Sequence, residues 1–98
     1  MNRLVIVGAG GHGKVIADNA LRNGYKDIFF VDDYLKGECM GFEIIGTHAD
    51  IEALDNGTTD FVIGIGNNDS RKLIAEKYNV NWVSIIHPSA QIATNVAI

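Results

Sequence analysis

The sequence is short of cysteine and proline, with one of each in 98 residues, and short of charge, with Asp, Glu, Lys and Arg making up 20%. A lone cysteine, Cys39, cannot form an intrachain disulfide, so no disulfide framework supports the fold and a reduced, cytoplasmic α/β domain is expected. No apolar run approaches the ~20 residues of a membrane-spanning helix. The run at residues 4–7 is too short for a signal-peptide core, and glycines follow it. Eight basic residues against twelve acidic ones, a net charge of −4, give no electrostatic reason to expect nucleic acid or an anionic membrane as partner. None of His12, His48 and His87 stands at metal-ligand spacing from Cys39 or a carboxylate, so no metal site is expected. Hydrophobic residues and glycine are plentiful, at 47% and 11 residues. That balance excludes disorder and coiled coil, and the length fits one domain with a modest core.

Residues 4–7 (Leu-Val-Ile-Val) form a continuous apolar run rich in β-branched residues, the pattern of a strand covered on both faces. The turn Gly8-Ala9-Gly10-Gly11-His12-Gly13 leads into a helix over 14–23 that Gly24 stops, and a second buried strand follows at 28–31. Strand, turn, helix and strand within about thirty residues make a βαβ unit. An exposed connection over 34–41, a short strand at 42–45, a helix from Thr47 to about Leu54 and a third strong strand at 61–65 come next. Asn68 or Asp69 is the expected cap of a helix over 70–78, and 82–86 is the last expected strand. The architecture implied is a small Rossmann-like open parallel sheet with helices on both faces.

Beyond residue 85 the texture changes, with Ile86, Ile92 and Ile98 spaced by six. A hexapeptide period marks a β-helix, whose coils need stacked neighbours to bury their core. The expected division is therefore a domain over 1–85 and the truncated start of a left-handed β-helix over 86–98, the chain being the front of a longer protein.

Gly8-x-Gly10-x-x-Gly13 after a strand and before a helix fits the dinucleotide fingerprint: glycines permit close backbone approach, and the helix N-terminus attracts phosphate. Asp32 and Asp33 end the second strand, where a carboxylate can accept from ribose hydroxyls. Gly66 and Asn67, at the end of the third strong strand, can converge on the same crevice. Val15 stands where a phosphate-binding loop of the ATPase type needs Ser or Thr, which argues against an ATPase. His48, at a helix start, reads as solvated surface, and Cys39 as an inert thiol.

Four segments in order carry a resemblance: Val7-Gly8-Ala9-Gly10-Gly11-His12-Gly13-Lys14-Val15, Val31-Asp32-Asp33, Ile65-Gly66-Asn67-Asn68 with Arg71 beyond, and Ile86-His87-Pro88-Ser89-Ala90. Together they resemble the amino-terminal part of bacterial sugar O- and N-acetyltransferases, the sialic acid O-acetyltransferases and UDP-4-amino-sugar N-acetyltransferases among them. The resemblance implies a homotrimeric enzyme of glycan biosynthesis whose first domain binds a UDP-amino sugar and whose β-helix binds acetyl-CoA and supplies a catalytic histidine. That histidine is expected beyond Ile98, so this chain by itself is expected to be catalytically inactive and monomeric or weakly oligomeric. The implied nucleotide-sugar contacts are Gly8, Gly10, Gly11, His12, Gly13, Asp32, Asp33, Gly66 and Asn67, with Lys14 and Arg71 as further candidates. The acetylated group is an amine or, in a sialic acid, a hydroxyl. The alternative is a stand-alone NAD- or nucleotide-binding module without catalysis.

Overall fold

A computed structural model of the chain describes residues 2–85. The six-residue spacing over 86–98, with His87 and the isoleucines that carry it, lies outside the described residues. The apolar run of the first strand, β1 (Arg3–Val7), pairs in parallel with β2 (Ile28–Val31) on one side and with β5 (Thr59–Ile63) on the other. β4 (Phe42–Gly46) adds outside β2, also parallel, and β3 (Glu38–Cys39) closes that edge antiparallel. The order is β3-β4-β2-β1-β5. The chain moves outward from β1 through β2 to β4, then returns to the far side of β1. That reversal creates a switch point between β1 and β5, where open α/β sheets form their ligand crevice at the carboxyl ends of the strands.

Alternate strand residues feed two cores. Leu4, Ile6, Phe30 and Val62 pack against Ile16, Ala17 and Ala20 of α1 (Gly11–Arg22) on one face. Val5, Val7, Val31 and Phe61 pack against Ile51 of α2 (Ile51–Leu54), Ile74 of α3 (Asn68–Lys77) and Tyr78 on the other. Helices on both faces explain why the central strands lack polar alternation.

Three expectations are corrected. The connection over 34–41 contains β3, and Cys39 is buried there, its thiol 3.5 Å from the Ala9 carbonyl, because the chain doubles back at Met40-Gly41. Both turn residues have positive φ, 55° and 81°, the geometry of a two-residue hairpin turn. Among the described residues, the expected strand over 82–86 is a single parallel bridge from Trp82 to Phe61. There the indole stands edge-on to Phe61 and donates to the Tyr78 carbonyl, which covers the β5 edge. The α3 cap is Asn67, whose side-chain oxygen accepts from the Ser70 amide, rather than Asn68 or Asp69.

At the opposite, amino ends of the strands, Asp60 is buried and its carboxylate accepts from the Tyr25 hydroxyl and from the amides of Asn2 and Asn81. Burial pushes the Asp60 carboxyl up, but these three donors outweigh it and hold the group below its ordinary value. Tyr25 is pushed up to about 12, by burial first and then by the carboxylate it faces.

Candidate functional site

The carboxyl ends of β1, β2 and β5 open into one cleft of about 540 Å³, well within the range of small-molecule sites. Its walls bring together Gly8, Gly10, Gly11 and His12 after β1, Asp32, Asp33 and Tyr34 after β2, and Gly64, Ile65 and Gly66 after β5. Ser70, Leu73 and Ile74 of α3 line it too, as does His48 from the short helical turn after β4.

The glycines divide by function. Gly8 has φ +108°, and a Cβ there would stand 3.0 Å from the Gly64 carbonyl oxygen. A Cβ on Gly13 would collide with the Gly8 carbonyl, and one on Gly64 would come within 2.8 Å of the Gly13 Cα. These three are glycine because the helix must press onto the strand ends. Gly10, Gly11 and Gly66 face open space instead, leaving bare backbone toward the cleft.

Two helices begin at this cleft, and they differ. α3 has its side-chain cap and Asp69 in its first turn. α1 starts behind Gly10 with no side-chain cap and no acidic residue in its first turn. Its first amides and the positive end of its dipole are thus left for an anion. His12 stands exposed on the same turn.

The carboxylates are more occupied than the sequence suggests. One Asp32 oxygen accepts from the Ala9 amide at 2.9 Å, and the other accepts from the amides of Tyr34 and Leu35 at 2.9 and 2.8 Å. Burial raises its pKa, yet the three amides win and hold it below the ordinary carboxylate range. Asp32 therefore ties the glycine turn to the end of β2. Asp33 accepts from the His48 backbone amide at 3.0 Å, and the His48 Nδ1 lies 2.6 Å from the same carboxylate. The imidazole bond is the main reason the Asp33 carboxyl sits below its usual value.

His48 is the residue that sequence reasoning missed. It is half-buried, packs edge-on against Tyr78 and lines the cleft instead of standing on a solvated surface. Its helical turn is secured by a Thr47–Asp50 capping box, and β4 carries that turn alongside the end of β2. The Thr47-to-Asp50 spacing was visible in the sequence; the meeting with Asp33, fifteen residues away, depends on strand order.

Of the expected contacts, Gly8, Gly10, Gly11, His12, Asp32, Asp33 and Gly66 line the cleft. Gly13 is buried beneath the turn, and Asn67 caps α3 beside Gly66. Arg71 faces a separate groove between α1 and α3, and Lys14 is exposed. Among the described residues, no three His, Cys, Asp or Glu side chains gather to hold a metal ion, and no helix is long and apolar enough to cross a membrane.

A family model described as the PglD N-terminal domain matches residues 3–78. The chain belongs to that family. A UDP-N-acetylbacillosamine N-acetyltransferase from Bacillus subtilis (strain 168) is 35% identical over 106 residues, covering 100% of this chain and 49% of the relative. The chain thus spans about half the length of that curated relative. The acetyltransferase domain of PglB from Neisseria gonorrhoeae superposes with a TM-score of 0.82 at 36% identity, over 90% of this chain and 45% of that one. The same domain has been solved in complex with acetyl coenzyme A, with a TM-score of 0.72 at 39% identity over 78% of this chain and 38% of that one. A mutant of perosamine N-acetyltransferase from Caulobacter crescentus, in complex with CoA and GDP-perosamine, gives a TM-score of 0.81 at 26% identity over 91% of this chain and 44% of that one. The Bacillus and Caulobacter proteins are named as N-acetyltransferases of nucleotide-linked amino sugars, PglB contributes an acetyltransferase domain, and the small, mostly parallel sheet flanked by helices is the fold this chain shares with the solved acetyltransferases.

Proposed function

We propose that the whole protein transfers an acetyl group from acetyl-CoA to the amine of a UDP-linked 4-amino sugar in bacterial glycan biosynthesis, and that residues 1–85 are its nucleotide-sugar-binding domain. The observation that carries this reading is the α1 N-terminus, without a side-chain cap and with bare backbone at Gly10 and Gly11, opening into the cleft at the β1–β5 switch point. The diphosphate lies against the amides of that turn, with His12 beside it. Asp32 holds the turn in shape, and Asp33 with His48 lines the ribose side. Gly66 leaves room at the end of β5, and Asn67 fixes α3 next to it. Similarity to the Bacillus enzyme favours UDP, and the amine acceptor follows the names of both sugar N-acetyltransferases.

The chemical task of this domain is positioning. Fixing the nucleotide holds the sugar amine at the acetyl donor and removes much of the entropic barrier to transfer. Acetyl-CoA and the histidine acting as general base belong, in this proposal, to a trimeric β-helix of which 86–98 is the start, and no described residue is assigned to them. Calorimetric titration with UDP, GDP and NAD tests the binding half, and CoA release on mixing whole protein, acetyl-CoA and UDP-4-amino sugar tests the rest. Saturable UDP heat with CoA release is expected. Heat with NAD and none with uridine nucleotides overturns the reading, whereas UDP binding without CoA release favours the non-catalytic nucleotide-binding module.

A further inference from the structure

Among the described residues the two most exposed large apolar side chains are Tyr34, at 90%, and Leu73, at 68%, and both line the same cleft. A single exposed apolar side chain is ordinary, but Tyr34 and Leu73 gather with Ile65 and Ile74 at one concave site, the pattern that marks a ligand-binding groove. The Tyr34 backbone is anchored, because its amide and that of Leu35 donate to one Asp32 oxygen. Its ring and hydroxyl have no partner among the described residues. The result is a fixed pedestal with a bare ring. Leu73 lies one turn along α3 from Ser70 and next to Ile74, and all three face the cleft, with Ile65 continuing the apolar wall.

The cleft therefore has two chemically distinct parts. Bare amides at the start of α1 suit an anion, while Tyr34, Leu73, Ile74 and Ile65 suit a flat, uncharged group. We propose that Tyr34 and Leu73 wall a nucleobase slot, with the Tyr34 ring stacking on the base. This rests on the nucleotide-sugar reading above and adds the residues that grip the base. Stacking fits because every base has a π-face, and an alanine in place of a stacking aromatic costs about 1–3 kcal/mol, or roughly 5- to 150-fold in affinity.

The test compares wild type, Tyr34→Ala, Tyr34→Phe and Leu73→Ala by calorimetry with UDP, a UDP-sugar and inorganic pyrophosphate. Both side chains are exposed, so equal urea midpoints are expected and any affinity change reports on contact. Tyr34→Ala is expected to weaken UDP at least about fivefold while Tyr34→Phe stays within about twofold of wild type. Leu73→Ala weakens UDP less, and pyrophosphate affinity is the same throughout. UDP affinity unchanged by Tyr34→Ala overturns the slot while leaving the nucleotide reading intact. A loss seen with the UDP-sugar but not with UDP places the ring against the sugar and also overturns the slot. Wild type that binds neither UDP nor the UDP-sugar overturns both proposals.

Discussion

Replacing Asp32 by alanine removes the acceptor for three amides at once, and the structure says which loss matters. The amides of Tyr34 and Leu35 lie in an exposed turn and can turn to water. Ala9 is 1% exposed, so its amide has no such recourse. A buried donor left unpaired costs about 1–3 kcal/mol, and bonds to a charged acceptor are worth more than neutral ones. Adding about 1 kcal/mol for loosening the turn gives a total of about 2–4 kcal/mol. With a urea slope of about 2 kcal/mol/M, the midpoint falls by roughly 1–2 M. Asp32→Asn keeps one oxygen, so it retains either the Ala9 bond or the turn and falls between the two. Equilibrium urea unfolding, followed by tryptophan fluorescence at Trp82, measures this directly. An Asp32→Ala midpoint within 0.3 M (roughly 0.6 kcal/mol) of wild type refutes the claim that Asp32 braces the glycine turn.

Other perturbations have equally definite outcomes. Gly13→Ala sets a methyl against the Gly8 carbonyl; it should cost about 1–3 kcal/mol and weaken UDP, whereas Gly11→Ala, which meets nothing at a helical position, should leave stability unchanged or raise it by up to about 1 kcal/mol in urea unfolding. Tyr25 keeps its proton in the folded state up to about pH 12 but loses it near 10 when unfolded, so its contribution is complete below pH 10 and lost between 10 and 12. Urea midpoints should fall across that window in wild type and fall less in Tyr25→Phe. Asp60, held below its ordinary pKa, contributes fully above pH of about 4 and loses its contribution as acid protonates it, so Asp60→Asn should flatten the acid limb of the stability curve. Met40 occupies a left-handed position at φ 55°, so Met40→Gly or Met40→Asn should raise stability by about 0.5–1 kcal/mol, and an unchanged melting temperature in both would argue against strain there.

Much of the framework was legible because β1, β2 and β5 are covered on both faces and therefore read as apolar runs without polar alternation at 4–7, 28–31 and 61–65. Boundaries shifted where glycine served packing instead of turning. Gly11 and Gly13 look like loop residues, yet both lie in the first turn of α1, and at Gly13 only glycine lets that turn press on Gly8. β3 escaped notice because a two-residue strand has no period, and methionine is a poor signal for a turn needing positive φ. That the glycine turn and the ends of β1, β2 and β5 would meet at one cleft was readable from glycine spacing and strand ends, but the presence there of Tyr34, His48 and Leu73 and the cleft's internal bonds were not. An aspartate followed by an exposed turn is itself a cue for the amide bonds of Asp32. No local cue pairs Asp33 with His48, which only the placement of β4 beside β2 brings together.

The central claim is that a uridine diphosphate group binds at the cleft over the start of α1. Amide chemical-shift mapping of the 15N-labelled chain titrated with UDP tests it most directly. The account predicts saturable shifts at Gly10, Gly11, His12, Gly66 and His48, with Tyr25 and Asp60 at the far end of the sheet unmoved. Shifts confined to the groove around Val15, Ala75 and Val83, or none at saturating UDP, would contradict it.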